Sequence, residues 1–294
     1  RSNKSEFSYA ADRFYARDAD KKGSDSGFDL NLSYSPSANG KIDFLWIQNQ
    51  GSDANQFYQH YFYGDFDTPN PNIPVRNERS SASSTNSTLL FQGDWTKSFS
   101  KKLSLDYGFK LNSRFFENSF LYEKQKEGIY VKDGVRSNGF AYEEHIQAGY
   151  VSFAKKARYL QLDGGIRVEA TEIAGDVQQN YVNLFPSISI LHPISASQSI
   201  SFALSSRITR PSYKSLNPFI SFADPLNLNA GNPLLKPEKA LLLELSHVKD
   251  FTSLSVSNSL FYREITGLVG RVRTFLNGDT TLTRFENISH SNTL

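Results

Sequence analysis

The stretch that decides the fold runs from Ser206 to Ser246 and reads SRITRPSYKSLNPFISFADPLNLNAGNPLLKPEKALLLELS. It contains five prolines, at positions 211, 218, 225, 233 and 237. Each proline fixes φ and removes an amide donor, and the residue before it is pushed towards an extended backbone. We therefore expect neither a helix nor a central strand here, but a long, stiff, ordered loop that joins two strands.

The segments around this loop alternate between apolar and polar residues with the period of two that is typical of strands. The clearest run is 103–112, where Leu, Tyr and Phe alternate with Ser, Asp, Gly, Lys and Asn. Weaker or shorter runs cover 28–34, 42–46, 89–95, 146–153, 160–169, 182–191, 200–208, 241–246 and 254–262. An Asn277-Gly278 pair predicts the tip of a further hairpin. We expect about twelve strands.

The connections between these strands are alternately short and long. Tight turns are expected at 35–40, 98–101, 154–158, 192–198 and 248–251. Between them lie irregular stretches at 49–86 and 116–139, a medium loop at 171–181 and the proline-rich loop. Short turns on one side and long loops on the other are typical of a membrane barrel. Strands of about ten residues also match the ~9–11 that cross a bilayer on a tilt.

Composition limits the possible classes. The 294 residues include no Cys and no Met and carry a net charge of +2. No disulfide framework, thiolate metal site or nucleic-acid footprint is therefore indicated. No run approaches the ~18 apolar residues of a membrane-spanning helix. A mean hydropathy of −0.46 would suit a soluble protein, but barrel strands alternate lipid-facing and lumen-facing residues, so their mean hydropathy is ordinary.

The proline-rich loop resembles a segment of the outer-membrane β-barrel domain of TonB-dependent receptors of the Bacteroidetes type. The pattern is R-x-x-R-P-x-Y-x-x-L-N-P-F, then D-P, then G-N-P-x-L-x-P-E. The matching residues are Arg207, Arg210, Pro211, Tyr213, Leu216, Asn217, Pro218, Phe219, Gly231, Asn232, Pro233, Pro237 and Glu238. The resemblance is specific over about 183–287 and rests on turn spacing elsewhere.

This resemblance implies an all-β, antiparallel transmembrane β-barrel segment in the bacterial outer membrane, with short periplasmic turns and long extracellular loops. Large transporters of this kind have about 22 strands and a plugged lumen, so residues 1–294 would form about half a barrel. The resemblance also implies a plug domain upstream of the chain and further strands downstream of it. The segment begins at Arg1 without a leader, so we expect an internal or processed piece of a longer protein.

The implied function is active import of a large, scarce nutrient such as a metal chelate, a cofactor or a glycan. Its expected partners are outer-membrane lipid, the plug domain, the unknown ligand and a periplasmic energy-coupling protein. A passive porin or structural barrel is the first alternative, and a soluble, secreted β-sandwich binding protein is the second. No enzyme is expected, because the sequence has no catalytic fingerprint such as G-x-S-x-G, H-E-x-x-H or a P-loop.

Arg207 and Arg210 allow two interpretations. They could bind an anionic ligand or brace the plug, or they could pair with carboxylates such as Glu238 or Asp224 to hold the loop. The structural interpretation is favoured, because the surrounding prolines and asparagines build a scaffold. Their odd–even offset places the two arginines on opposite faces of a strand, unless the loop has already begun at Pro211.

Three other groups of residues are candidate sites. The aromatic residues Tyr58, Tyr61, Phe62, Tyr63 and Phe66 could stack on a ligand from an outer loop, or form a girdle at the membrane boundary. Glu143, Glu144 and His145 could bind a metal, but neighbours on a strand point to opposite faces, which favours wall residues. Asp18, Asp20, Asp25 and Asp29 only partly follow the calcium-loop pattern, because Lys22 occupies a ligand position. We therefore expect no metal and no cofactor.

Overall fold

The computed structural model describes residues 4–10, 13–63, 76–221, 227–276 and 280–293. Its sixteen strands and one single-turn helix are β1 Lys4–Ala10, β2 Arg13–Ser37, β3 Gly40–Tyr63, β4 Arg76–Ser100, β5 Leu103–Lys126, β6 Ile129–Lys132, β7 Asn138–Lys156, β8 Gln161–Gly175, β9 Gln179–Ser195, β10 Gln198–Thr209, α1 Tyr213–Leu216, β11 Asn227–Ala230, β12 Glu238–Asp250, β13 Ser255–Thr266, β14 Val269–Phe275, β15 Thr281–Asn287 and β16 Ser291–Thr293. None of the helices in these ranges is long and apolar enough to cross a membrane.

One large antiparallel sheet contains thirteen strands. Twelve follow the order β1-β2-β3-β4-β5-β7-β8-β9-β10-β12-β13-β16, and β6 pairs with the outer end of β5. Sequence neighbours therefore lie side by side almost throughout, as in an up-and-down barrel wall. The predicted number of strands and the antiparallel barrel class are confirmed. The turns on one side of the sheet are short, with only 38–39, 101–102 and 196–197 between successive strands.

The two faces of the sheet differ in chemistry along the middle of its long strands, β2–β5, β7–β10, β12 and β13. Register pairs such as Leu32↔Phe44 and Leu204↔Leu243 place the apolar residues of neighbouring strands on one shared face. These side chains are not covered: Leu184 is 55% exposed and Leu260 63% exposed. Buried area is favourable only when something apolar covers it, and acyl chains do so in a barrel. The soluble β-sandwich alternative is wrong, because its core would have buried this face.

Aromatic rings dominate the outward, lipid-facing surface of β2–β5. Trp95 stacks on Tyr107, with ring centroids 5.8 Å apart and planes 5° from parallel. Phe44 meets both Phe91 at 6.3 Å and Trp95 at 5.7 Å. Cross-strand aromatic pairs of this kind contribute roughly 0.2–1 kcal/mol each to a sheet. These rings lie on the part of the outward face that lipid covers, which we call the belt.

The inward face carries the polar residues that the alternation assigned to the lumen, and several of them are paired with one another. The Tyr150 hydroxyl reaches across β5 to donate to Asp94 on β4. It can do so because Gly108, the register partner of Tyr150, has no side chain in the way. Gln92 donates to the other oxygen of Asp94 at 2.8 Å. The bond from Tyr150 thus connects β7 to β4 across β5 on the inward face.

Several strands continue well past the apolar belt. β2 to β5 are 24 or 25 residues long, which at ~3.3 Å per residue is about 80 Å. Only ~9–11 residues are needed to cross the bilayer. The expectation of irregular structure is therefore wrong for 49–63, 76–86 and most of 116–139, where paired strands extend outward instead. The apolar alternation stops there because both faces meet water.

A second sheet joins two of the outer connections. β11 pairs in parallel with β15, and β15 pairs with β14 in an antiparallel hairpin. The Asn277-Gly278 tip lies outside the described residues, but the two strands that it was predicted to join are present. The expected loop at 171–181 is shorter than predicted, because β8 ends at Gly175 and β9 begins at Gln179.

We predict that replacing Gly108 by Leu destabilises the wall. A Cβ at this position would lie 2.5 Å from the carbonyl oxygen of Gly93 and 2.7 Å from the Tyr150 hydroxyl. Overpacking of this kind costs about 1–3 kcal/mol. The measurement is urea unfolding of the protein, expressed from its complete gene and reconstituted in vesicles. Gly149→Leu is the matched control, since a Cβ there would meet nothing within 4 Å; equal midpoints for the two variants would refute the prediction.

Candidate functional site

The connection between β10 and β12 folds back onto the inward face of the sheet. Its two anchors, Leu216 and Leu235, are both 0% exposed. They pack into a cluster with residues from inward positions of β5, β7 and β8 and from the β8–β9 turn, namely Phe116, Phe140, Tyr142, Ile173 and Val177. The connection therefore has a small apolar core of its own inside the outer mouth of the wall. We call residues 210–238 the inner loop.

The first part of the inner loop contains the single helical turn α1. Ser212 caps it, because its hydroxyl accepts a hydrogen bond from the Ser215 amide at 3.2 Å. The turn ends at Asn217, which is extended (ψ 111°) because Pro218 disfavours helical geometry in the residue before it. Within the turn, Tyr213 stacks on Phe116 of β5, with ring centroids 3.6 Å apart. The expectation of no helix is thus wrong for these four residues.

The second part of the inner loop crosses back over the first at Gly231. Its amide donates to the Asn217 carbonyl at 2.8 Å, and the next amide, from Asn232, donates to Ser215 at 2.7 Å. A Cβ on Gly231 would lie 2.4 Å from the Asn217 oxygen and 2.6 Å from the Ser215 oxygen. Only glycine fits this crossing. Asn217 also accepts from the Phe219 amide at 3.0 Å through its side chain.

Side-chain amides join the end of the inner loop to its surroundings. Asn232 donates to the Phe285 carbonyl at 3.0 Å and accepts from the Leu234 amide at 3.0 Å. Gln179, at the start of β9, donates to the carbonyls of Pro233 at 3.2 Å and Leu235 at 2.9 Å. Because prolines remove amide donors from the inner loop, side chains outside the loop supply hydrogen bonds to its carbonyl groups.

Asn287 and Glu238 complete these connections. Asn287 accepts from the Lys236 amide at 2.8 Å and donates to the carbonyls of Lys236 at 2.9 Å and Gly267 at 2.7 Å. Glu238 accepts from the Val269 amide at 2.7 Å. The inner loop and the β14–β15 hairpin are therefore one rigid unit, although they are separate connections in the chain.

Arg210 anchors the start of the inner loop to the wet face. Its guanidinium donates to Glu169 at 2.6 Å and to Thr171 at 2.9 Å, and it lies 4.0 Å from Glu144. Glu144 is 2% exposed and Glu169 8% exposed. Burial is the largest single effect and lowers the pKa of Arg210, but the neighbouring Glu169 and Tyr181 together outweigh it, so that the pKa is raised. The group stays charged and holds two buried carboxylates.

Two further arginines lie beside the Glu144 and Glu169 carboxylates and add positive charge to this ion cluster. Arg167 donates to Glu169 at 2.6 Å, and Arg114 lies 3.5 Å from Glu144. The Nε atom of Arg210 and the hydroxyl of Tyr181 are buried without a hydrogen-bond partner among the described residues. A buried polar atom without a partner is costly, and ordered water commonly satisfies such groups.

Of the two carboxylates suggested as partners of the arginines, neither is seen beside Arg210, and pairing with Asp224 stays a prediction. Glu238 bonds to the Val269 amide instead, while Asp224 lies outside the described residues. Arg207 is exposed and has no polar partner in the described part of the chain. Its register partner is Ala240, on the inward face. Because the strand ends at Thr209 and the loop has begun by Arg210, both arginines lie on the wet side.

The other candidate residues are dispersed. Tyr58 lies on β3, twelve residues beyond Trp46, or about 40 Å along the strand, too far from the belt for a membrane girdle. The side chains of Tyr61, Phe62 and Tyr63 and all of Phe66 lie outside the described residues. In the described ranges no three metal-ligating side chains form a cluster.

The acidic candidates follow the alternation of the strands. Glu144 is buried on the inward face, whereas His145 and Glu143 point outward, 3.8 Å apart and nearly half exposed. Asp18, Asp20, Asp25 and Asp29 lie along the single strand β2, so they do not form a calcium loop. The side chain of Asp18 is outside the described part of the structure, and Asp20 points to the opposite face from Asp25 and Asp29.

Comparison with known proteins places this geometry in context. A family model described as the outer membrane protein beta-barrel family matches residues 30–294. No curated protein sequence matches the chain. Among solved structures, the copper transporter OprC is similar at 12% identity over 96% of this chain and 53% of that chain, with a TM-score of 0.54.

Two further structures are similar. The Serratia marcescens hemophore receptor HasR, solved as a double mutant with its hemophore HasA and heme, matches at 10% identity over 95% of this chain and 50% of that chain, with a TM-score of 0.53. The RagAB peptide importer matches at 11% identity over 95% of this chain and 33% of that chain, with a TM-score of 0.57. The chain thus spans about half or less of these proteins, and the likeness concerns the fold.

We predict that Arg210→Ala destabilises the barrel by about 3 kcal/mol, because it leaves two buried carboxylates without their shared cation. Arg207→Ala is the matched control and should change stability by less than about 0.5 kcal/mol, since that side chain is exposed. The measurement is heat-modifiability on a gel together with urea unfolding in vesicles. Unchanged heat-modifiability of the Arg210 variant would contradict the bracing role.

We predict that Gly231→Ala opens the inner loop without preventing barrel assembly. The added methyl group collides with two carbonyl oxygens at the crossing, while the sheet hydrogen bonds are untouched. Limited proteolysis of intact cells should cleave within the inner loop of the variant and leave the native loop whole. Gly134→Ala is the control, because a Cβ there meets nothing within 4 Å. Equal resistance of both variants would argue against a tight crossing.

Proposed function

Because the chain belongs to the outer membrane protein beta-barrel family and resides in the bacterial outer membrane, we propose that it forms wall strands of an active importer. The proposed cargo is a large, scarce nutrient such as a metal chelate, a cofactor or a glycan. The wall acts as a rigid, lined conduit, and the strand extensions beyond the belt form a vestibule for capture. The proposal is for a receptor and not for an enzyme.

The observation that carries the proposal is the position of the inner loop. It packs on the inward face with a dry core and a buried ion cluster, so it occupies room that a freely permeable pore would keep open. Leu216 and Leu235, at 0% exposed, fix it there. A lumen that is narrowed by a rigid element suits a conduit whose opening is controlled, as in plugged outer-membrane transporters.

The similar structures support a receptor of this kind without selecting a ligand. They include a copper transporter, a hemophore receptor in complex with its hemophore and heme, and a peptide importer. One wall architecture therefore serves different cargoes, and the choice of cargo resides in loops. For the protein to which this chain belongs, we propose a plug domain in the lumen and a periplasmic coupling protein that pulls on it.

The experiment is uptake by cells that carry or lack the complete gene. The deletion strain is grown on limiting iron and on defined glycans, and uptake of the affected nutrient is measured with and without a protonophore. We expect a growth defect at low nutrient concentration and uptake that the protonophore abolishes. A variant without the upstream region of the gene should lose uptake while the barrel still reaches the membrane.

The same experiment tests the porin alternative. If the protein is a passive pore, uptake persists with the protonophore, and purified protein in liposomes admits small sugars without an energy source. Either result would overturn the importer proposal. Rescue of the deletion strain by high nutrient concentration alone agrees with active import, since diffusion through other pores then suffices.

A further inference from the structure

The outward face of β2–β5 changes its chemistry above the lipid-facing belt. Up to Leu89 on β4 and Trp46 on β3 it carries large apolar side chains. Beyond them the outward positions of β2–β4 are mostly small or polar, while β5 keeps Phe115 and Leu121 among its outward positions. The register aligns Ser24 with Ser52 and Ser52 with Thr85 across three strands. Further out it aligns Ser83 with Ser119. The residues Ser24, Ser52, Ser81, Ser83, Thr85 and Ser119 form what we call the hydroxyl trough.

The hydroxyl trough is concave. Two adjoining cavities of about 320 Å³ and 290 Å³ lie along it, and Lys22, Ala54 and Ser83 line both. The Ser24 and Ser52 hydroxyls are 2.9 Å apart and exposed. Asp20 and Gln56 line its outer end. Its lining is thus rich in small hydroxyl side chains, with Lys22 and Ala54 where the two cavities adjoin and the Asp20 carboxylate and Gln56 amide at the outer end.

We propose that the hydroxyl trough binds the saccharide headgroup of a glycolipid in the outer leaflet. The first argument is continuity with the membrane surface, because the trough lies on the same face as the belt that contacts acyl chains. Thr85 is four residues beyond Leu89 and Ser81 eight, which is about 13 Å and 26 Å along the strand. A glycolipid whose acyl chains cover the belt presents its sugars at that height.

The second argument is chemical. Sugar hydroxyls both donate and accept hydrogen bonds, and so do the serine and threonine hydroxyls of the trough. Small side chains let a sugar ring approach the sheet closely, and the Asp20 carboxylate and Gln56 amide offer stronger polar partners at the edge. A protein partner instead requires several aromatic or aliphatic anchor positions, and among the register partners of the six trough residues the single large apolar side chain is that of Leu121, opposite Ser81. This site is independent of the proposed import function, since it faces away from the lumen.

The test counts glycolipid molecules that remain bound to the protein, expressed from its complete gene, through purification in mild detergent. Native mass spectrometry measures the bound lipid for three proteins: the protein without substitutions, the trough variant Ser52→Trp/Ser83→Trp, and the control Asn180→Trp. Asn180 is exposed on the same outward face, on β9, as the register partner of Glu172. The probe is lipopolysaccharide with its core sugars, compared with a lipopolysaccharide trimmed to its lipid anchor.

We expect the native protein and the control to retain the sugar-bearing lipid, and the trough variant to retain it about tenfold more weakly, the factor that corresponds to losing one or two hydrogen bonds. The trimmed lipid should bind all three proteins equally and weakly. Equal retention of both lipids by the native protein would overturn the proposal, because the acyl belt alone would then explain binding. The proposal would also fail if the trough variant retained the sugar-bearing lipid as well as the native protein does. Loss of a co-purifying protein from the variant, instead of loss of the lipid, would likewise overturn it.

Discussion

Backbone amides and carbonyls cannot be left unpaired in hydrocarbon, because each unsatisfied group costs several kcal/mol there. This constraint forces the chain into one continuous hydrogen-bonded sheet, with short turns wherever the chain reverses at the inner edge. Side chains must then alternate between lipid and lumen. The apolar side of the long strands therefore faces the membrane, and polar side chains within the membrane are confined to the inward face.

The inner loop depends on that division of faces. A buried carboxylate is tolerable only beside a fixed cation, and the inward face is the side of the wall that is shielded from lipid and also free to carry charge. Glu169 and Glu144 on the wall meet Arg210 at the base of the loop. Leu216 and Leu235 then exclude water beside this cluster. The ion cluster sets where the loop begins, and the apolar contacts keep it against the wall.

The period of two in the sequence was sufficient to predict the belt strands, their faces and the barrel class. The motif also located the inner loop and its rigid turns, because proline and glycine act on the chain locally. The partners of Arg210 could not be predicted, since Glu169 lies 41 residues earlier and nothing local marks it among other wall charges. The role of Asn287 was missed for the same reason. The outward extensions of β3 and β4 were missed because strands that are wet on both sides lose the alternation.

That loss of alternation reveals what surrounds each part of the wall. Along β4 the outward positions pass from Trp95 and Phe91 to Leu89 and then to Thr85, Ser83 and Ser81, while the backbone ladder continues unbroken. Since the hydrogen bonding does not change, the change in side chains reflects the environment: acyl chains, then a polar layer. The inward positions show no such transition, because water or the inner loop meets them at every height. In a sheet that crosses several media, the side chains on each face thus match the medium that contacts that face.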